Sequence, residues 1–411
     1  MAPSQPSAPL TDAELATCAS IIKASNWRAD GGGPIVLSYA TQISEKWLLG
    51  LSAAMHGSPI VLAGLGRRGW QWWEGGGGKL KGTARALQLL HSIDPDAPIV
   101  FGDGGDTVVV NHWSRAAALR HIAEHSLDNG VLTGGECNSW PLCYAKTYLR
   151  DHRYKRCLST NATCFPNSGT YLGRAKPLHG FVDGLMGAMN RLNARGYPGQ
   201  LTAEKGDDQA ALHHLYLNAR GYYSEPDINL TETVRQQMWR ARGSKGGGSS
   251  SSSAMPPPPP PPAPPLSVRI DGGSSFFLNL WICSGITYRL RGRGPFEYCH
   301  QRPFDAMPRI RMRANGTALQ FLPENRTNGH EAAHKRPFLV HSNGRHYRLQ
   351  DPALAPIMRR LKSPPTEEEK ARLLQTPVLL LDSVAFGTCG VASLDRVLRG
   401  WQQHTVIPVA A

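Results

Sequence analysis

The sequence has no long apolar run. No stretch of about 18 consecutive apolar residues occurs in its 411 residues, so we expect no membrane-spanning helix. The first seven residues, MAPSQPS, also lack the basic start and apolar core of a signal peptide, so either a leader is missing or the protein does not use that route. Because 41% of the residues are apolar, a chain of this length can still bury a large core.

Cysteine is also scarce. The chain has eight cysteines and no C-x₂-C pair, but four fall within one short stretch, at positions 137, 143, 157 and 164, and could form one or two disulfides. N-x-[ST] triplets begin at Asn161, Asn229, Asn315 and Asn325 and agree with N-glycosylation. Both features favour the lumen of the endoplasmic reticulum or Golgi, and a cytoplasmic location is the alternative.

Acidic residues are outnumbered, 31 against 45 lysines and arginines, which gives a formal net charge of +14. Such an excess favours anionic partners, among them nucleotide sugars, nucleic acid and anionic lipid. The basic residues are scattered rather than gathered in one stripe, so we expect no nucleic-acid partner, and a general compositional bias is the alternative explanation.

The most informative stretch is residues 99–110, IVFGDGGDTVVV. Its apolar start predicts a buried strand that stops at Asp103 and Asp106, with two glycines between the carboxylates. Carboxylates at a strand end suit Mg²⁺ or Mn²⁺, which commonly bridge protein oxygens to a substrate diphosphate. The stretch therefore predicts a metal-diphosphate site, although Asp-Gly pairs also form ordinary surface turns.

Strand and helix patterns alternate three times before this motif. Apolar runs predict strands at 34–39, 58–65 and up to Asp103, and the segments between them predict helices at 45–54 and 80–92. This alternation is typical of βαβ units, so we expect an α/β fold with a mostly parallel sheet. Ligands bind at the carboxyl ends of the strands in such sheets, which is where Asp103 and Asp106 lie.

A glycine-rich loop with three tryptophans follows the second predicted strand. Trp70, Trp72 and Trp73 could stack on a base or a sugar, or could instead fold back onto the core. Lys79 follows four glycines at the start of the next helix, where backbone N–H groups and an ammonium could contact phosphate.

Three further polar pairs are candidates for binding. Glu136 and Trp140 could hold a sugar by hydrogen bonding and stacking. Asp207 and Asp208 begin a predicted amphipathic helix, a position where acidic residues also serve as ordinary caps. His341 and Asn343 follow a predicted strand and could reach a metal or phosphate, although a lone histidine is more often structural.

Low-complexity sequence occurs at the N-terminus and in the middle of the chain. Residues 1–33 contain one predicted short helix, at 12–24, and are interpreted as a flexible tail. Residues 233–266 are rich in Gly and Ser and include seven consecutive prolines, a composition typical of flexible coil joined to a stiff spacer. Beyond residue 364 the pattern predicts a helix capped by Thr366 with Glu369, a strand at 378–381 and a final helix at 393–401.

In this order the motifs resemble the glycosyltransferase domain of the procollagen lysyl hydroxylase/glucosyltransferases. The resemblance covers about residues 34–345 and rests on eight landmarks: Ala40-Thr41, Gly64-Leu65-Gly66, Gly75 to Lys79 after a tryptophan loop, Asp103 with Asp106, Glu136 to Pro141, Asn167 to Gly169, Asp207 to Gln209, and His341 to Gly344.

The resemblance implies a GT-A-like, Rossmann-type mixed sheet with helices on both faces, formed by residues 34–232 and 267–345. Residues 233–266 would then be an insertion, which loop-closure entropy tolerates, and 346–411 a C-terminal extension of unknown role. The implied activity is transfer of glucose or galactose from a UDP-sugar, with retention and with Mn²⁺, to a hydroxyl of a protein or glycan.

The resemblance also implies a role for each candidate residue. The metal ligands would be Asp103, Asp106 and His341. The donor contacts would be Thr41, Trp70, Lys79, Asn343 and Gly344. The groups that orient the sugar and the acceptor would be Glu136, Trp140, Asp207 and Asp208.

The sequence departs from this family in several places. An aromatic residue usually precedes the second metal aspartate, where this chain has Gly105, and Ser342 replaces the first glycine of the His-Gly-Asn-Gly turn. The tryptophan loop is longer and contains Arg67 and Arg68, and the segment after Gly344 has no H-x-D motif, so we expect no lysyl hydroxylase activity. The alternatives are a different nucleotide-sugar transferase, a nucleotide hydrolase, or an inactive binding module whose proline run recruits SH3-like or profilin-like partners.

Overall fold

The computed structural model describes residues 9–43, 47–66, 78–136, 165–194, 208–218, 267–271, 275–279, 289–291, 298–300, 311–315, 318–322, 337–341, 366–384 and 387–404. Within these ranges the helices are α1 (Asp12–Ala24), α2 (Leu48–Met55), α3 (Gly78–Ile93), α4 (Arg115–Glu124), α5 (Ala175–Ala194), α6 (Asp208–Asn218), α7 (Glu367–Leu374) and α8 (Leu394–His404).

The strands of the described residues are β1 (Ile35–Tyr39), β2 (Ile60–Ala63), β3 (Pro98–Gly102), β4 (Thr107–Val109), β5 (Gly130–Glu136), β6 (Phe165–Arg174), β7 (Ser267–Asp271), β8 (Phe277–Asn279), β9 (Arg289–Arg291), β10 (Tyr298–His300), β11 (Arg311–Asn315), β12 (Ala318–Leu322), β13 (Leu339–His341), β14 (Pro377–Ser383) and β15 (Gly387–Ser393).

A mixed eight-stranded sheet forms the centre of the fold, in the order β15-β14-β2-β1-β3-β6-β5-β7. The four strands β14, β2, β1 and β3 run parallel to one another. On its other side β3 pairs antiparallel with β6. The carboxyl ends of the parallel strands therefore meet at one edge of the sheet, where ligands bind in open α/β sheets.

Helices cover both faces of this sheet. Alternate residues of a strand belong to two separate apolar clusters, one on each face of the sheet. Leu37 and Phe101 belong to the cluster that includes α1, α3 and α5. Val36 and Val100 belong to the cluster that includes α2, α4 and α8. Strands buried on both faces need continuous apolar runs, and every residue of β1, β2 and β3 is buried. The prediction of an α/β fold with a mixed sheet is confirmed.

A second sheet of three strands lies beside the first, in the order β4-β13-β8. The central strand β13 pairs antiparallel with β4 and parallel with β8. This arrangement brings a strand from the second half of the chain next to the segment that follows β3, and it pairs His341 with Thr107. Two further pairs, β9 with β10 and β11 with β12, are antiparallel.

The N-terminal segment is part of the fold from residue 9 onward, so its interpretation as a flexible tail is wrong for residues 9–33. Helix α1 has the predicted bounds and a capping box between Thr11 and Glu14. Cys18, Ile22 and Trp27 are buried in the main core, and the Trp27 indole donates a 2.9 Å hydrogen bond to the Ile60 carbonyl. A composition rich in Pro, Ser, Ala and Gly suggests a tail, but one buried helix face suffices to fix the segment.

The boundary placed at residue 345 is also wrong. Strand β14 pairs parallel with β2 inside the main sheet, and β15 forms the edge beyond it. Strands on both sides of residues 233–266 share this sheet as well, because β7 pairs parallel with β5. Strand pairing is long-range, and the sequence pattern of β14 alone does not specify its neighbour.

Candidate functional site

Three potential metal ligands converge beside the carboxyl end of β3. Asp103 follows β3 directly, Asp106 precedes β4, and His341 is the last residue of β13. One ligand atom from each residue can be chosen so that all three atoms lie within 4.8 Å of one another. The His341 Nε2 atom is 3.4 Å from Asp106 Oδ1 and 3.9 Å from Asp103 Oδ2.

The imidazole of His341 is held in a tight, charged environment. The residue is 2% exposed. Burial disfavours its charged form, but the carboxylates of Asp106, Asp103 and Glu136 outweigh that effect, so the pKa of His341 lies above its ordinary value. A Cβ atom at Gly169 would lie only 2.3 Å from the imidazole Cε1 atom, so only glycine at this position leaves room for the ring.

The other oxygen of the Asp103 carboxylate pairs with Lys79, whose side chain is partly buried. Lys79 Nζ lies 2.7 Å from Asp103 Oδ1 and 2.7 Å from Asp208 Oδ2, and it donates a 3.1 Å hydrogen bond to the Ser168 carbonyl. Burial raises the pKa of Asp103, the positive charge of Lys79 lowers it, and the negative charge of Asp106 raises it further. The net effect is a pKa above the ordinary value for an aspartate. Lys79 therefore connects the metal-ligand cluster to the first residue of α6.

The surroundings of Lys79 keep its ammonium charged. Burial opposes the charged form, but Asp103 and Asp208 more than compensate, so the pKa of Lys79 lies well above its usual range. The Nζ atom also lies 5.4 Å from the centre of the Phe101 ring. The structure thus gives Lys79 oxygen partners within the protein, and its predicted contact with a donor phosphate stays a prediction.

Glu136 sits at the end of β5 inside a buried hydrogen-bond network. Its two carboxylate oxygens accept hydrogen bonds from Asn167 Nδ2 at 3.1 Å and from Gln209 Nε2 at 2.8 Å. Gln209 Oε1 in turn accepts a 2.6 Å bond from the Ser168 backbone, and Gln209 lies 3.1 Å from the His213 ring. A carboxylate that is 2% exposed and held from both sides is fixed in orientation.

The landmark Asn167 to Gly169 forms an irregularity within strand β6. On the β5 side the register shifts between Thr133, which faces Tyr171, and Gly134, which faces Asn167. The intervening residues of β6 turn towards β3, where the Gly169 carbonyl accepts a 3.0 Å hydrogen bond from the Asp103 backbone. Bulges commonly re-aim side chains next to functional sites, and this one links the Glu136 network to the metal-ligand cluster.

The turn between Asp103 and Asp106 packs against the end of β1. A Cβ atom at Gly104 would lie 2.8 Å from the Ala40 Cβ atom, so the turn approaches this strand end closely. The half-buried Thr41 accepts a 2.9 Å hydrogen bond from the Gly66 backbone through its carbonyl. Gly64 and Gly66, which follow β2, have φ angles of +83° and +81°. Residues with a side chain rarely adopt such positive angles, so both positions favour glycine.

Five predicted site residues, Trp70, Trp140, Asp207, Asn343 and Gly344, lie outside the described residues. Those that the structure brings together are Lys79, Asp103, Asp106, Asp208 and His341, with Glu136 joined to them through Asn167 and Gly169.

Sequence reasoning did not assign roles to Gln209, His213 or Tyr171. Gln209 and His213 stand four residues apart on α6, a spacing that places both on one helix face and could have indicated a shared partner. Tyr171 is buried beside Lys79 and Asp208, and burial raises the pKa of its phenol well above the usual value. No local pattern in the sequence marks Tyr171 as part of this site.

The donor set is compatible with Mn²⁺ or Mg²⁺. Two carboxylates and one imidazole can bind such a cation through oxygen and nitrogen. The charge of Asp106 also raises the pKa of Asp103, and a bound cation would relieve this repulsion between neighbouring carboxylates. Asp103, Asp106 and His341 therefore fit a divalent metal ion.

Comparisons with known proteins add no assignment, because neither a scan against protein-family models nor a search of curated proteins finds a match. Among the residues that the structure describes, no helix is both long and apolar enough to cross a membrane.

Proposed function

We propose that this protein is a Mn²⁺-dependent glycosyltransferase with a GT-A-like fold, which transfers a hexose from a UDP-sugar to a hydroxyl of a protein or glycan. The observation that carries the proposal is the convergence of Asp103, Asp106 and His341 within 4.8 Å. Asp103 and Asp106 are neighbours in the sequence, but His341 comes from β13 in the second half of the chain, so its approach to the two aspartates is a product of the fold.

The position of the cluster supports a nucleotide-sugar donor. It lies at the edge where the parallel strands β1 and β3 end, the usual ligand-binding edge of such sheets. Thr41, Lys79 and Glu136, which belong to landmarks that resemble the procollagen lysyl hydroxylase/glucosyltransferases, follow strand ends or contact Asp103 at the same edge. From the same resemblance we infer retention at the anomeric carbon.

In the proposed mechanism Asp103, Asp106 and His341 would hold Mn²⁺. The cation would neutralise the charge that develops on the UDP leaving group. Lys79 keeps Asp103 and Asp208 in fixed positions through two 2.7 Å ion pairs. Glu136, oriented by Asn167 and Gln209, can accept hydrogen bonds from sugar hydroxyls, and Asp208 would help orient the acceptor hydroxyl. Roles for Trp70, Trp140, Asp207, Asn343 and Gly344 are proposed on the resemblance alone.

The first test is UDP release from a panel of UDP-sugars, with and without Mn²⁺, first with water and then with hydroxylysine peptides as acceptors. Asp106→Asn preserves shape but removes one ligand charge, so we expect release to fall by at least about 100-fold. Asp128→Asn is the matched control, because Asp128 is an exposed carboxylate at the opposite end of β5.

The outcomes separate the candidate functions. Manganese-dependent release that is lost in Asp106→Asn and kept in Asp128→Asn would support the transferase and identify the donor. Release that hydroxylysine peptides do not stimulate would point to a nucleotide hydrolase. Absence of both release and calorimetric UDP binding would refute the enzymatic proposal and leave a binding module.

A further inference from the structure

Two cysteines near opposite ends of the chain meet in the core. Cys18 lies on α1 and Cys389 on β15, and α1 packs against β15. Both side chains are buried, at 1% and 9% exposure, and both are free thiols. The two thiols are hydrogen-bonded to each other, so they are already in contact in the folded protein.

A charged cluster holds the two elements in this arrangement. Arg85 on α3 lies 2.8 Å from the Asp382 carboxylate on β14 and 3.6 Å from the Glu14 carboxylate on α1. Asp382 is almost fully buried, so this ion pair is shielded from water. The cluster joins α1 to the C-terminal strands and keeps Cys18 facing Cys389.

The hydrogen bond between the two thiols also supports their reaction with each other. Burial disfavours either thiolate, and the hydrogen bond from the remaining thiol stabilises whichever thiolate forms first.

We propose that Cys18 and Cys389 form a disulfide that joins the N-terminal helix α1 to the C-terminal strand β15. The oxidant is a low-molecular-weight disulfide such as oxidised glutathione. One of the two cysteines, as a thiolate, attacks one glutathione sulfur and releases one glutathione thiolate. The other cysteine then loses its proton and attacks the sulfur of the first, which releases the second glutathione. One small disulfide is reduced to two thiols and one protein disulfide is formed.

Burial decides when this exchange occurs. Because both thiols are buried, the first attack requires α1 to separate briefly from β15 in the folded protein. Once formed, the bond closes a loop that includes most of the chain and thereby restricts the unfolded ensemble. The inference does not rest on the proposed transferase activity, and either proposal can fail without the other.

The test is peptide mapping of the full-length protein after equilibration of the folded chain with oxidised glutathione. Trypsin releases residues 1–23 and 373–396, and each of these peptides contains a single cysteine. We expect the two peptides to be linked in the unreduced digest and separate after reduction. We also expect oxidation to raise the melting temperature by roughly 5–10 °C.

Variants show whether the shift belongs to this bond. Cys18→Ala and Cys389→Ala should each remove the linked peptide and the rise in melting temperature, whereas Cys299→Ser should keep both. If one alanine variant does not fold, the other supplies the same comparison. Linkage only after unfolding in urea, pairing of these cysteines with other partners, or glutathionylation without linkage would overturn the proposal. A linked product without a higher melting temperature would overturn its stabilising role.

Discussion

Replacing Gly169 by alanine tests how the metal-ligand cluster is built. The added Cβ atom would lie 2.3 Å from the His341 Cε1 atom and 2.7 Å from its Nε2 atom, far inside normal contact distances. The His341 ring is 2% exposed and its strand, β13, is hydrogen-bonded to a neighbour on each side. The ring therefore cannot move aside without disturbing the three-stranded sheet.

Two effects follow from this clash. Overpacking of a buried site costs about 1–3 kcal/mol of unfolding free energy. Displacement of the imidazole should also weaken Mn²⁺ binding by at least about 10-fold, or ~1.4 kcal/mol, since even indirect changes at metal sites cost 10-fold or more. The loss of affinity should therefore accompany the loss of stability.

Calorimetric titration with Mn²⁺ measures the affinity, and thermal unfolding with and without Mn²⁺ measures the stabilisation that binding supplies. Gly173→Ala is the control in the same strand, because its added Cβ atom would come no closer than 3.3 Å to any neighbour. The reasoning is refuted if Gly169→Ala binds Mn²⁺ as tightly as the natural protein, or if Gly173→Ala loses as much affinity.

Three further predictions concern charge and packing. Lys79→Met removes the ammonium that Asp103 and Asp208 share, so the free energy of unfolding measured in urea should fall by about 3 kcal/mol. Mn²⁺ should restore part of this loss, because it supplies positive charge to Asp103. Burial lowers the pKa of His121 from 6.5 to about 4 in the folded protein. As the pH falls from 6.5 to 4, the unfolded chain therefore binds a proton that the folded protein does not, and the free energy of unfolding should decrease by up to ~3 kcal/mol. Trp27→Ala should cost about 3–5 kcal/mol in the same assay, because the residue is 1% exposed.

Each of these predictions has a result that contradicts it. If Mn²⁺ stabilises Lys79→Met and the natural protein by the same amount, the lysine does not balance the charge of the carboxylates that bind the metal. His121→Phe should flatten the pH dependence, and an unchanged slope would assign it to other groups. If Trp27→Ala has the same free energy of unfolding as the natural protein, the N-terminal segment would again be interpreted as a tail.

The elements next to the site were largely predictable from local patterns. Apolar runs placed β1, β2 and β3 to within a few residues, and Thr11 and Thr366 cap helices where the sequence indicates helix starts. These signals are local, because burial of a strand on both faces requires a continuous apolar segment. In contrast, α5 went unpredicted, and its proline and three glycines weaken the helical pattern of this 20-residue helix.

The amino-acid sequence by itself determined the α/β alternation and the position of Asp103 and Asp106 at a strand end. Only the tertiary structure decided that β13 lies against β4, that Lys79 faces Asp103 and Asp208, and that Gly169 makes room for a histidine far along the chain. The physical reason is that side-chain periodicity reports which face of an element is buried, whereas the choice of neighbouring strand depends on contacts between segments distant in sequence.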